Sequence, residues 1–289
     1  MPWPAPLPNL QRESDVLAGA DVNPLLLRIV TGLVLVVVAL AAVWYGGTFF
    51  TARVAAATLL MFAEWAVMHG LSRGVRLAGL ALLAGVIVLL QLVTAGEALM
   101  TLGAGAALLG VFAARLAGTA RNSMGRMSAA GILYCGLPAV ALVWVRGLSL
   151  GLEATIFLLV CVWSADIIAF FVGRGVGGPK LAPAISPNKT WSGAIGGVVG
   201  AMLVAGGLAI AYLAHVQGHG AWKFIAVAGG LAGLSVLGDL FESHLKRRAG
   251  VKDSGTILPG HGGVMDRLDG LVPVAVAGAG VFAATGWAG

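Results

Sequence analysis

Charge is what this sequence has least of: only 10% of its 289 residues are Asp, Glu, Lys or Arg, against roughly 25% in soluble domains. With 59% hydrophobic residues, 44 glycines and a mean hydropathy of +0.95, the apolar surface exceeds what one core can hide. Even a ~300-residue domain leaves about a quarter of its unfolded surface exposed. A water-soluble globule and a disordered chain are both excluded. Cysteine is nearly missing, and Cys135 and Cys161 each lie inside an apolar run, which excludes a disulfide-built secreted scaffold. No strict internal repeat is visible. No His-Glu-x-x-His zinc motif is present, so His215 and His219 read as interfacial. A P-loop is absent too: Gly173 and Gly178 have its spacing, but Pro179 stands where its lysine belongs.

What is there is a series of apolar runs near the ~20 residues that cross a bilayer. Nine are counted, at 24–46, 48–70, 77–95, 97–114, 128–146, 152–172, 193–215, 222–240 and 270–288. They predict an all-α, polytopic integral membrane bundle of about nine transmembrane helices. The expected organisation is a polar tail over 1–23, N-terminal transmembrane helices over 24–150 and a C-terminal catalytic region over 151–289. The first run follows a polar segment and is too long for the core of a cleavable signal, so it is expected to stay in the membrane. Fifteen of the eighteen Lys and Arg residues fall on the N-terminus and the even-numbered connections. By the positive-inside rule this places that side, with the N-terminus, in the cytoplasm. The same distribution explains the net charge of +6 without a nucleic-acid partner.

Acidic residues are scarce and uneven. Asp239, Glu242, Asp253, Asp266 and Asp269 fall within 31 residues, and Asp166 stands in the sixth run. An ionisable group at membrane depth is expensive and defaults to a functional role, so the chemistry is expected in the C-terminal half. Glu64, Glu97 and Glu153, isolated or near span ends, read as interfacial or bundle-packing residues. One constellation joins Asp166 to Gly173-Arg174-Gly175-Val176-Gly177-Gly178-Pro179-Lys180 and Ser186-Pro187-Asn188-Lys189-Thr190. Glycines let backbone N–H groups aim at phosphate oxygens while Arg174, Lys180 and Lys189 supply charge.

The second constellation runs from Gly238-Asp239 to Asp269. If the eighth span continues as a helix past Leu240, Asp239, Glu242, Ser243 and Lys246 share one face. Asp266 and Asp269 share a face at the start of the ninth, and the Gly-rich turn between would fold the two carboxylate pairs together. Such oxygen ligands suit a hard cation, above all Mg²⁺, which takes one or two carboxylates plus substrate phosphates.

The run Ser243-x-Leu-Lys246-Arg247-x4-Lys252-Asp253-x-Gly255-x2-Leu258-Pro259-x-His261-Gly262-Gly263-Val-x-Asp266-Arg267-Leu-Asp269 resembles the signature of the bacterial phosphatidate cytidylyltransferases, the CDP-diacylglycerol synthases. The pattern covers 27 residues, and the likeness in length and span number extends over the chain. The resemblance implies CTP and phosphatidic acid as substrates, membrane lipids as surroundings, and Mg²⁺ with K⁺ as a companion cation. It leaves room for a homodimer in a bacterial cytoplasmic membrane, the active site facing the cytoplasm. The expected catalytic set is Asp239, Asp266, Asp269, Lys246 and Lys252. Asp239 and Asp266 lead as metal ligands, with Asp166 and Asp269 beside them. Arg174, Arg247 and Arg267 join Lys246 and Lys252 on phosphates. Ser243, His261, Gly262 and Gly263 would shape the nucleotide site, and Ser186, Lys189 and Thr190 would hold the triphosphate or the lipid headgroup. Two positions depart from the family pattern: Ser192 stands where Glu is common, and Gly270 where Ser is frequent. The alternatives are a related CTP-using polyprenol or dolichol kinase, and a multi-span transporter.

Overall fold

The computed structural model describes residues 24–93, 105–113, 123–217, 220–258, 260 and 262–287. Its helices are α1 (Pro24–Tyr45), α2 (Gly47–Met68), α3 (Arg73–Val93), α4 (Ser123–Arg146), α5 (Gly151–Val176), α6 (Trp191–Gln217), α7 (Ala221–Arg248), α8 (Met265–Leu268) and α9 (Leu271–Thr285). A two-stranded hairpin, β1 (Lys180–Ala182) and β2 (Ser186–Thr190), lies between α5 and α6. Residues 105–113 are helical as well.

Six of the described helices, α2 to α7, are long and apolar enough to cross a membrane, and the apolar stretches Ile29–Tyr45 and Leu271–Thr285 are shorter. The chain is therefore a multi-pass, all-α membrane protein. Of the nine expected runs, 97–114 lies partly outside the described residues, so the count of nine is not reached here. Bulky apolar side chains point outward along the bundle, among them Leu33, Leu203 and Leu237. Lipid satisfies such a surface, whereas every backbone polar group must be bonded within the helices.

Two packing styles hold the bundle. Helices α2, α3 and α4 meet through large buried side chains, including Phe62, Trp65, Leu83 and Ile132. Trp65 also donates from Nε1 to the Met127 carbonyl at 2.9 Å. Helices α5 and α6 instead meet backbone to backbone. A Cβ on Gly193 would stand 2.8 Å from the Ala169 carbonyl oxygen, and one on Gly197 would stand 2.6 Å from that of Ala165. Close approach through small residues is how helices gain dispersion contact in lipid, where apolar burial alone drives little association.

Three features go beyond the expected span limits, and all three shape the site. The connection expected after residue 172 begins later and is ordered. Helix α5 continues to Val176, and an antiparallel hairpin follows, with Lys180 opposite Thr190 and Ala182 opposite Ser186. Its base is closed by the Trp191 N–H donating to the Pro179 carbonyl at 3.0 Å and by Ser192 Oγ donating to the Gly177 carbonyl. Helix α7 does continue past Leu240, for two turns beyond the run's end, to Arg248, which puts Asp239 beside Ser243 and Glu242 beside Lys246 one turn apart. Gly250, at φ +74°, ends it by letting the Val251 N–H return to the Lys246 carbonyl at 3.0 Å. The last expected run is one helix, α9, and a separate single turn, α8, precedes it, with Asp269 and Gly270 between the two.

Candidate active site

A cavity of about 660 Å³ opens between the C-terminal part of α5, the hairpin, the start of α6 and α7. Asp166, Arg174, Lys180, Asn188, Lys189, Thr190 and Asp239 supply its polar lining. The backbone approach of α5 to α6 makes this arrangement possible. Gly173 faces Gly193 so closely that a Cβ on either would crowd Thr190 Oγ1, and Thr190 Oγ1 in turn accepts the Gly193 N–H at 3.1 Å. The hairpin is thereby held over the cavity, and Lys189 reaches across it to form an ion pair with Asp239 of α7. Ser243, one turn beyond Asp239, lies 3.4 Å from its other carboxylate oxygen.

Beside the cavity, the continuation of α7 and the loop after it build a second cluster. Lys246 pairs with Glu242 at 3.0 Å and with Asp266 at 2.6 Å. Asp266 further accepts the Ser254 N–H at 3.0 Å, the Ser254 hydroxyl at 3.0 Å and the Gly263 N–H at 2.8 Å. Burial works to raise the Asp266 pKa, but the Lys246 ammonium and the Gly263 and Ser254 donors prevail and hold it below the usual carboxylate value. Asp269 is in the opposite situation. Burial, and then the charge of Asp239, push it up to about 7, with the Gly270 N–H opposing and Asp166 adding repulsion.

Asp166, Asp239 and Asp269 thus form a mutually repelling set, offset by the Lys189 ion pair with Asp239 and by Arg267 near Asp166. Among the described residues no three His, Cys, Asp or Glu side chains converge into a preformed metal cage. Mg²⁺ does not require one, because phosphate and water complete its octahedron. The donor set is all oxygen, with Asp166 exposed and Asp239 and Asp269 half-buried, and so fits a hard cation that arrives with a polyphosphate.

The structure brings Asp166, Arg174, Lys189, Thr190 and Asp239 into one cavity, with Ser243 on Asp239 and with Lys246 and Asp266 joined beside them. It does not bring Ser186, Arg247 or Lys252 to the cavity lining. Arg247 instead bonds the Ile185 and Val251 carbonyls at 3.4 Å, tying the hairpin to the end of α7, and Lys252 is exposed. Gly262 bridges to Leu258 and Gly263 donates to Asp266; His261 lies outside the described residues.

One expectation is corrected. Glu64 is not interfacial: it is buried within the bundle and accepts bonds from Ser254 and Val264 in the loop of the second cluster and from Met265 at the start of α8. Its signal was present in the sequence, as a lone carboxylate deep in an apolar span.

A helical membrane bundle whose cavity sets Arg174, Lys180 and Lys189 against Asp166 and Asp239 is that of a membrane enzyme built for anionic substrates. The chain belongs to the cytidylyltransferase family, whose model matches residues 26–284. It is 45% identical over 256 residues to a phosphatidate cytidylyltransferase of Brucella abortus, covering 86% of this chain and 89% of that protein. Phosphatidate cytidylyltransferases of Haemophilus influenzae (43% over 124 residues, 42% of each chain) and Synechocystis (46% over 127 residues, 42% of this chain and 40% of that one) are also similar.

Proposed function

We propose that this protein transfers the cytidylyl group of CTP to phosphatidic acid, giving CDP-diacylglycerol and pyrophosphate, on the cytoplasmic side of a bacterial inner membrane. The observation that carries this reading is the cavity itself, in which Arg174, Lys180 and Lys189 face Asp166 and Asp239 at the end of a membrane bundle. The orientation rests on the cation count, since both site loops fall on the side that holds fifteen of eighteen basic residues.

The acceptor is a phosphate monoester with a second pKa near 6, so at neutral pH its attacking oxygen is already largely deprotonated. No side chain has to remove a proton. The oxygen bonds to the α-phosphorus of CTP, the bond from that phosphorus to the bridging oxygen breaks, and the electron pair leaves with pyrophosphate. The difficulty is bringing one anion to another, so the protein's part is positioning and neutralisation of charge. Lys189, Arg174 and Lys180 meet the phosphates in the cavity, and Arg267, exposed near Asp166, guards its rim. Lys189 also holds Asp239 in place until substrate competes for its ammonium. Asp166, Asp239 and Asp269 would hold Mg²⁺, which when bound supplies Lewis-acid stabilisation of the phosphoryl oxygens. Asp266, whose oxygens already serve Lys246, Ser254 and Gly263, orders the adjoining loop.

The test is incubation of the purified protein with labelled CTP, phosphatidic acid and Mg²⁺. Pyrophosphate and a CDP-lipid are expected; CDP with a newly phosphorylated lipid would replace this reading with a kinase.

A further inference from the structure

Glu64 is the one acidic side chain of α2, set between Phe62 and Trp65 and 4% exposed. A carboxylate in such surroundings is costly unless its oxygens are bonded. Its partners among the described residues come from the loop after α7 and the first residue of α8, about two hundred residues away in sequence. Val264 N–H donates to Oε1 at 2.8 Å, Met265 N–H to Oε2 at 2.8 Å, and the Ser254 hydroxyl to Oε2 at 3.1 Å. The same hydroxyl stands 3.0 Å from Asp266 Oδ2. It carries one proton, which two carboxylates claim, so Ser254 links Glu64 to Asp266. The loop closes around this carboxylate without side chains. A Cβ on Gly255 would stand 2.8 Å from Glu64 Oε1, and one on Gly263 would stand 2.7 Å from Oε2.

We propose that Glu64 is a positioning residue for the site: from the N-terminal bundle it holds the loop over 252–265 in the one arrangement that sets Asp266 against Lys246 and Asp269 beside Asp239. Glu64 does not line the cavity, so it acts through the loop and touches no substrate. The inference rests on the proposed reading of these groups as receivers of CTP phosphates and a divalent cation. Without Glu64 the loop populates other arrangements, and apparent affinity falls by the fraction that is competent. Saturating ligand restores the competent form, so binding suffers more than turnover.

The experiment uses the full chain in detergent as wild type, Glu64→Gln and Ser254→Ala. Both Glu64 oxygens accept a backbone N–H, so an amide sets donor against donor in either orientation. Ser254→Ala breaks the link while leaving those two bonds intact, which covers a Gln variant that fails to fold. Mn²⁺ serves as the probe, its binding in the presence of CTP followed by loss of the free-ion EPR signal, alongside KM for CTP and kcat. Half-saturating Mn²⁺ and KM are each expected to rise about fivefold or more in both variants, with kcat changed less than about twofold. Unchanged half-saturation and KM, with only a lower kcat or a lower melting temperature, would overturn the proposal and leave Glu64 a packing residue. A wild type that binds neither Mn²⁺ nor CTP would instead overturn the reading on which the inference rests.

Discussion

Helices α2 and α4 touch through Trp65, Phe62 and Ile132, whereas α5 and α6 touch through Gly193, Gly197 and the carbonyls of Ala169 and Ala165. The first interface fills space with side chains that can repack; the second leaves no space to fill. The difference follows the division of labour. Where backbones meet, α5 and α6 present Asp166 and the hairpin cations to one cavity, and a shift of one helix moves both. Where side chains meet, the bundle supplies a firm back wall and, through Glu64, a polar tether to the loop and the start of α8.

This contrast is broken most severely by a change in the site itself. Asp239→Asn keeps the shape but removes the charge that pairs with Lys189, and turnover measured as CDP-lipid formation at saturating CTP is expected to fall about 10²–10³-fold, as for other single electrostatic groups at phosphoryl-transfer sites. Retention of near-normal rates would remove Asp239 from the cation site. Next comes Gly197→Val on α6. Its added atoms meet the Ala165 carbonyl, and overpacking of about 1–3 kcal/mol is expected to lower both the melting temperature and the turnover per folded molecule.

Phe62→Ala sharpens the comparison from the other side. Truncating this fully buried ring is expected to cost about 3–5 kcal/mol of stability, yet molecules that remain folded should turn over at close to the normal rate. If their rate falls as far as that of Gly197→Val, the two regions do not divide support from chemistry. The smallest effect is expected for Asp253→Asn. Asp253 is exposed and makes no ion pair among the described residues, so its loss should change turnover by less than about twofold, in the range of ordinary surface substitutions.

Much of this was legible in one dimension. Apolar runs separated by cation-bearing connections marked the spans because lipid imposes a length and a composition on every crossing. The Asp239 to Asp269 stretch stood out because charge is expensive there, and the structure does join Lys246 to Asp266 within it. The hairpin was not legible: the glycines around Pro179 carry no strand pattern, and the Ser192 and Trp191 bonds at its base show why it is ordered. The partners of Glu64 were hidden for a different reason. A hydrogen bond from Met265 to Glu64 spans 201 residues, and no local spacing encodes it.

Phe170 lines the cavity, and Phe171, Ile167, Trp191 and Ile195 stand exposed along the same edges of α5 and α6. The polar chamber therefore has an oily doorstep. On the proposed reading, a lipid acceptor would approach it by sliding within its own leaflet, headgroup toward the cations and tails never leaving the bilayer. The concentration that such a catalyst senses is a two-dimensional one. Diluting the acceptor with inert detergent at fixed bulk amount should slow the reaction, whereas diluting the whole suspension with buffer at fixed CTP should leave the rate per enzyme unchanged.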